Sequence, residues 1–341
     1  MSKSNQINSL QALRGIAALF VLLLHLAGAD GEYYKGVFLP QVFSFGYWGV
    51  DIFFVISGFI MMWVHAKDIN YPQQWPIYIK RRINRIYPSY WAAFLLLFSL
   101  YLFQGRIGEF KEISLLSAVK SFFLFPQQER LVVVVSWTLV YEMIFYSFFG
   151  LLILNGRMGV AVIAAWIAAI FAFNFIIPLP PSLETVRQFF GLRNLEFFVG
   201  VGAAMCLQYY QGFSSTILWK SAILITAAGI VINYFLPIPF WLAVIPAALF
   251  LIGSAHDEQL QANIPNPLLY LGKISYSLYL IHTPIILLAY KISIALNLHA
   301  PVLTFLITLS LSIFGGALFY NLIEKNISIK KKRVAANSLS I

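Results

Sequence analysis

The chain has 341 residues, of which 60% are hydrophobic and only 11% charged. A soluble domain carries about 25% charged residues, so this composition excludes an ordinary water-soluble fold and implies an integral membrane protein. The formal net charge of +10 does not point to nucleic acid, because the basic residues cluster in short segments between apolar stretches, where they set topology.

A membrane-spanning helix needs about 20 mostly apolar residues. By that measure ten helices are predicted, at residues 9–28, 42–64, 87–104, 131–154, 157–177, 189–210, 217–236, 240–254, 268–290 and 300–324. No long polar segment divides them and no internal repeat is visible. The expected fold is therefore an all-α polytopic membrane bundle, with one domain over residues 1–325 and a basic cytoplasmic tail over 326–341. The proline-rich "IIPLPPS" and "FLPIPF" read as connectors. The only cysteine, Cys206, lies in an apolar run, which rules out an internal disulfide.

Placing both termini in the cytoplasm puts fourteen of the 23 lysines and arginines on that side and seven on the other, with Arg14 and Arg193 inside spans. That asymmetry supports the orientation. "AGA" at 27–29 resembles a leader cleavage site, but a removable leader would have no use for Arg14 and His25, so the first helix is read as retained.

Ionisable residues inside spans are costly and usually face a bundle interior or a watery cavity. In "LRGIAALFVLLLHL", Arg14 and His25 are eleven residues apart, which places them on one helix face about 16 Å apart. Arg14 reads either as a snorkelling anchor or as part of a polar path. His25 reads either as an interhelical hydrogen bond or as the upper end of that path.

"WGVDIFFVISGFIMM" carries Asp51 near the outer boundary, with Ser57 and Gly58 deeper. Gly58 reads as a close helix approach. In "KRRINRIYPSYW", Arg82 and Arg85 are three apart, which makes them neighbours if this stretch, ahead of the predicted span, is helical. They serve as a topology signal and also suit a phosphate-rich ligand. "SWTLVYEMIFY" places Glu142 at a depth comparable to His25, where a carboxylate and an imidazole make a plausible acid–base unit.

"LGKISYSLYLIHTPI" puts Ser275, Tyr279 and His282 on one polar stripe, either for packing or for a site. Arg193 and Glu196 read as a local i,i+3 ion pair, and Glu324 as the partner of a nearby lysine. The expectation is an outer cluster of His25, Glu142 and His282, with Asp51 either joining it or serving only as an interfacial residue, and a cytoplasmic cluster of Arg14, Arg82 and Arg85.

Taken together, "LRGIAALFVLLLHL", "GVDIFFVISGF", the Arg82–Arg85 pair, "SWTLVYE" and "SYSLYLIH" resemble the acyltransferase-3 family of bacterial membrane proteins. The motifs run in the family's order from residue 13 to 282. The resemblance implies an O-acyltransferase of the bacterial inner membrane that acylates sugars of exopolysaccharide, O-antigen or similar surface glycans. By it, His25 is the catalytic histidine, Arg14 its partner in the signature, and Arg82 and Arg85 the acyl-CoA contacts. Acetyl is the commonest acyl group expected, and no metal is implied. The chain is similar to the stand-alone, exopolysaccharide-modifying type.

On this reading His25 acts as a general base on a sugar hydroxyl or takes the acyl group itself, with Glu142 orienting or charge-balancing the imidazole. The expected partners are acyl-CoA, a polysaccharide or lipid-linked sugar, and membrane lipid. The rival reading is a transporter or flippase of a lipid-linked glycan, since polar residues at depth suit it equally.

Overall fold

In hydrocarbon each backbone polar group must find its partner within the protein, and a helix satisfies that within one segment. The computed structural model describes residues 7–36, 38–104, 113–209, 216–236, 241–298 and 300–327, and among these there is no strand. Ten principal helices follow one another: α1 (Asn8–Tyr34), α2 (Trp48–His65), α3 (Trp75–Gln104), α4 (Trp137–Leu154), α5 (Gly156–Phe175), α6 (Asn194–Tyr209), α7 (Thr216–Phe235), α8 (Trp241–Ser254), α9 (Asn266–Ala295) and α10 (Pro301–Phe319).

Each apolar stretch expected to span overlaps one of these helices. Among the described residues eight helical segments are long and apolar enough to cross a membrane, against the ten expected. The two others are α8, which is short, and α3. The latter starts at Trp75 rather than residue 87, so its first turns carry the basic run Lys80–Arg85. A π-helical turn, Tyr320–Glu324, follows α10. The "IIPLPPS" segment is a connector, as expected. Residues 237–240 of "FLPIPF", the tail from residue 328, and Lys3, Arg106 and Lys111 lie outside the described residues.

α2 is the central helix, with 67% of its apolar window buried, while α5 and α7 bury only 17% each. The outward faces of α5 and α7 show large apolar side chains such as Phe171, Leu224 and Val231. In water that surface would drive aggregation. Against lipid tails it is the solvated face.

Two close helix crossings build the centre. α2 meets α6 at Gly58 and Gly200: a Cβ at either would overlap a main-chain carbonyl oxygen of the other helix, Phe197 O or Val55 O. α1 meets α9 at Gly15 and Gly272, where a Cβ on Gly272 would overlap Gln11 O. Small residues let membrane helices approach this closely. The expected role of Gly58 is therefore what the structure displays.

Candidate active site

α1 and α9 run parallel. Counting ten residues on from Gly15 reaches His25, and ten on from Gly272 reaches His282. Equal offsets on parallel helices give equal rise, about 15 Å, so the two imidazoles arrive at one level. His282 Nε2 lies 3.1 Å from His25 Nδ1, with the rings 4.9 Å apart between centroids. His25 Nδ1 also lies 2.9 Å from Val21 O, and His282 Nδ1 lies 3.1 Å from Leu278 O. His282 is buried and His25 is half-buried.

Below this pair is a cavity of about 370 Å³. Its floor is cationic: Arg14 from α1 and Arg81, Arg82 and Arg85 from α3. The basic run of α3 is helical, so Arg82 and Arg85 share a face as their spacing implied. Glu142 from α4 is the carboxylate among the lining residues, with Ser57, Ser275, Tyr146 and Tyr276 around it. Four guanidiniums to one carboxylate among the lining residues give the cavity an excess of positive charge, which favours an anion.

Each cation is held differently. Arg82 lies over the Tyr146 ring at 5.6 Å, donates to Met61 Sδ at 3.4 Å, and has a buried Nε with no hydrogen-bond partner among the described residues. Arg85 lies over the Tyr276 ring at 5.3 Å and donates to Glu324 Oε1 at 2.9 Å. Arg14 donates weakly to Gln11 Oε1 at 3.5 Å. Glu142 accepts from Ser57 Oγ at 2.7 Å and from the hydroxyl of Tyr146.

Several expectations are corrected here. Glu142 does not pair with His25. It sits among the arginines, because its own helix offers Tyr146 one turn on and α2 offers Ser57. Nor does Asp51 join the outer cluster. It points away from the cavity toward α6 and accepts from Arg193 Nη1 at 2.8 Å. Arg193 therefore reaches across to Asp51 instead of forming the local bond to Glu196, and it also stacks over Trp137 at 5.3 Å. Glu324 pairs with Arg85 across the bundle, and Ser277 Oγ donates to it at 2.7 Å.

The polar face from Arg14 to His25 is not one open path. Arg14 lines the cavity, but neither His25 nor His282 is among its lining residues. Phe53 and Tyr279, edge to face at 6.0 Å, fill the space between, and the Tyr279 ring lies 5.9 Å from His282. Tyr279 is held in place by its hydroxyl, 2.8 Å from Thr138 Oγ1 and 2.9 Å from Val135 O. Ser275 and Tyr279 line the cavity and Tyr279 borders His282, so this face of α9 runs from the cavity to the imidazoles.

Residues 7–321 match the family described as an acyltransferase domain, acyltransferase-3. The chain belongs to the acyltransferase-3 family. It is an enzyme that transfers acyl groups other than aminoacyl groups, and a multi-pass membrane protein. The transporter reading gains nothing from these matches.

Two curated relatives are similar to it. The exopolysaccharide production protein ExoZ of Rhizobium meliloti (strain 1021) is 28% identical over 321 residues, 87% of this chain and 92% of the relative. The acyltransferase MdmB of Streptomyces mycarofaciens is 28% identical over 315 residues, 82% of this chain and 78% of the relative. No solved structure matches. Among the described residues no group of three or more His, Cys, Asp or Glu is arranged to hold a metal ion.

The sequence reading did not single out Tyr146, Tyr276, Arg81 or Thr138, all of which line the cavity. Tyr146 had a readable signal, being one helical turn from Glu142 on the same face.

Proposed function

We propose that this acyltransferase takes its acyl group, acetyl by expectation, from acyl-CoA on the cytoplasmic side of a bacterial inner membrane. It delivers the group to a sugar hydroxyl of a cell-surface or exported polysaccharide. The observation that carries this reading is the cavity of four guanidiniums lying below a pair of imidazoles. Arg82 and Arg85 take the phosphates of the donor, since guanidinium forks match phosphate oxygens. Arg14, at the same cavity, adds charge. Glu142 and Ser57 hold the wall of the passage, and Glu142 offsets part of the cationic charge.

The thioester end reaches past Tyr279 to His25, which acts as general base on the sugar hydroxyl or receives the acyl group itself. The printed name of the Rhizobium relative, an exopolysaccharide production protein, supports a polysaccharide acceptor. The catalytic domain spans residues 1–325, with residues 326–341 as a basic tail on the donor side.

The test uses membrane vesicles carrying the full chain, labelled acetyl-CoA and purified exopolysaccharide. Label should enter the polysaccharide with the wild type and not with His25→Ala, while both variants reach the membrane equally. Acid quenching that traps labelled acyl-histidine selects the covalent route. Full transfer by His25→Ala would overturn the proposal.

A further inference from the structure

The hydrogen bonds of the two imidazoles determine where their protons are. His25 Nδ1 meets Val21 O at 2.9 Å, and His282 Nδ1 meets Leu278 O at 3.1 Å. A carbonyl oxygen can only accept, so each Nδ1 carries a hydrogen. In a neutral imidazole the other nitrogen then bears the lone pair. His282 Nε2 is therefore an acceptor, and it faces His25 Nδ1 at 3.1 Å. The hydrogen on His25 Nδ1 is shared between Val21 O and His282 Nε2. His25 Nε2 takes no part in these bonds, and among the described residues its lone pair is unshared.

We propose that His282 is the positioning residue of His25: a neutral imidazole accepting from His25 Nδ1–H, so that His25 acts through Nε2. It fills the place that the sequence reading gave to Glu142, whose bonds go to Ser57 and Tyr146. A neutral acceptor suits this depth. A carboxylate beside His25 would have to be kept charged in an apolar bundle at all times. The imidazole pair carries charge only while a proton is in transit.

This rests on the acyl-transfer reading, and the step balances. The hydroxyl oxygen of the acceptor attacks the thioester carbonyl carbon as its proton passes to His25 Nε2. A C–O bond forms and the C–S bond breaks. The proton then passes from Nε2 to the departing thiolate sulfur, which restores the neutral ring. While His25 is an imidazolium, its Nδ1–H bonds to Val21 O and His282 Nε2 strengthen, and so stabilise the charge as it develops. His282 is buried, its own Nδ1–H is tied to Leu278 O, and its Nε2 faces His25 Nδ1 at 3.1 Å, nearer than the Thr283 hydroxyl at 3.5 Å.

Two measurements test this. First, the five histidines are labelled with nitrogen-15 in the full chain in nanodiscs, and His25 and His282 are assigned by His25→Gln and His282→Gln. Both rings should be neutral with Nδ1 protonated and Nε2 bare. An Nε2–H tautomer at either ring overturns the proposal, whatever the protein catalyses.

Second, transfer from acetyl-CoA to exopolysaccharide is followed in His282→Leu and His282→Gln. Leucine removes the acceptor and should lower kcat roughly 100-fold, with KM for acetyl-CoA within about twofold. Glutamine offers a carbonyl oxygen to Nδ1–H and should recover kcat to within about tenfold of wild type. Equal loss in both variants, or full kcat in the leucine variant, overturns it. Absence of transfer in the wild type sinks the acyl-CoA reading instead and leaves the tautomer result to decide this one.

Discussion

Arg85 Nη1 lies 2.9 Å from Glu324 Oε1, which binds a cavity-lining guanidinium to the π-helical turn that follows α10. The Glu324 side chain is 11% exposed and also accepts from Ser277, while that of Arg85 is 42% exposed. On the proposed reading, a donor phosphate at Arg85 competes with a carboxylate already in place. Glu324→Gln removes the charge and keeps the shape. One unit charge at about 8 Å and an effective dielectric near 20 is worth about 2 kcal/mol. Part of that is offset by a less ordered Arg85, so CoA should bind about threefold to tenfold more tightly. Calorimetric titration of CoA at fixed ionic strength reads this directly. Weaker binding would mean that Glu324 presents Arg85 to the donor instead of competing with it.

Arg193 reaches across from the foot of α6 to Asp51 on α2, beside the buried Glu196, and stacks over Trp137 at the start of α4. One cation thus serves two closely interacting carboxyl groups and ties three helices together. Arg193→Ala strands both carboxyls. Breaking a fully buried pair costs about 3–5 kcal/mol. The Arg193 side chain is 36% exposed, so about 1–3 kcal/mol is expected here after allowing for screening. Adding Asp51→Asn to Arg193→Ala should recover part of the loss, since an amide needs no counter-charge. Unfolding midpoints in detergent should fall for the single variant and rise again for the double. No recovery would mean that Arg193 works through its packing on Trp137.

Along a single helix the sequence was informative. Ser275, Tyr279 and His282 share a face, and so do Arg82 and Arg85, because the 3.6-residue period acts on neighbours in the chain. Between helices it was not. Arg193 had a local candidate in Glu196 three residues on, and only the α2–α6 crossing brings Asp51, 142 residues away in sequence, nearer. The Arg85–Glu324 pair spans 239 residues and has no local signature.

An apolar-length criterion starts α3 at residue 87 because it stops at charged side chains, whereas backbone bonding continues through them to Trp75. The imidazole pair is the intermediate case. Both residues stand out in the sequence as ionisable groups within spans, but depth alone pairs His25 with the carboxylate of Glu142 as readily as with His282. The matching ten-residue offsets from Gly15 and Gly272 were present in the sequence, and became informative only once α1 and α9 were known to be parallel neighbours.

The two glycine crossings predict a sharp positional contrast. Gly58→Ala, Gly200→Ala and Gly272→Ala each drive a methyl group into a main-chain carbonyl of the facing helix, which cannot yield without separating the helices. Overpacking of this kind costs about 1–3 kcal/mol. Gly272→Ala should also lower activity, because the α1–α9 spacing sets the His25–His282 distance. Gly28→Ala and Gly202→Ala meet nothing within 4 Å, and alanine gains up to about 1 kcal/mol of helix propensity over glycine. Those two variants should melt at or slightly above the wild-type midpoint. A uniform response across the five would show that the crossings do not carry the stability assigned to them.

Asp257 lies outside the spans, between α8 and α9, and caps the short helix Glu258–Asn263. Leu260 N donates to its Oδ1 at 2.9 Å, and Trp219 Nε1 and Thr216 Oγ1 from α7 donate to Oδ2 at 2.8 and 3.3 Å. These bonds favour the charged form and hold the carboxyl below its ordinary value of 3.8. A carboxyl depressed in the folded state contributes its stability above the unfolded value and loses it as pH falls through the lower, folded one. The tie between α7 and this helix should therefore be constant from neutral pH down to about 4 and release only at more acid pH. Trp219 reports it, since its indole N–H is bonded to the carboxylate. The chain has eight tryptophans, so the signal is the fluorescence difference between wild type and Asp257→Asn, whose amide keeps an acceptor but does not titrate in this range. A difference signal with its midpoint below 3.8 is expected, and a midpoint above that value would mean that the carboxylate is not held by these bonds.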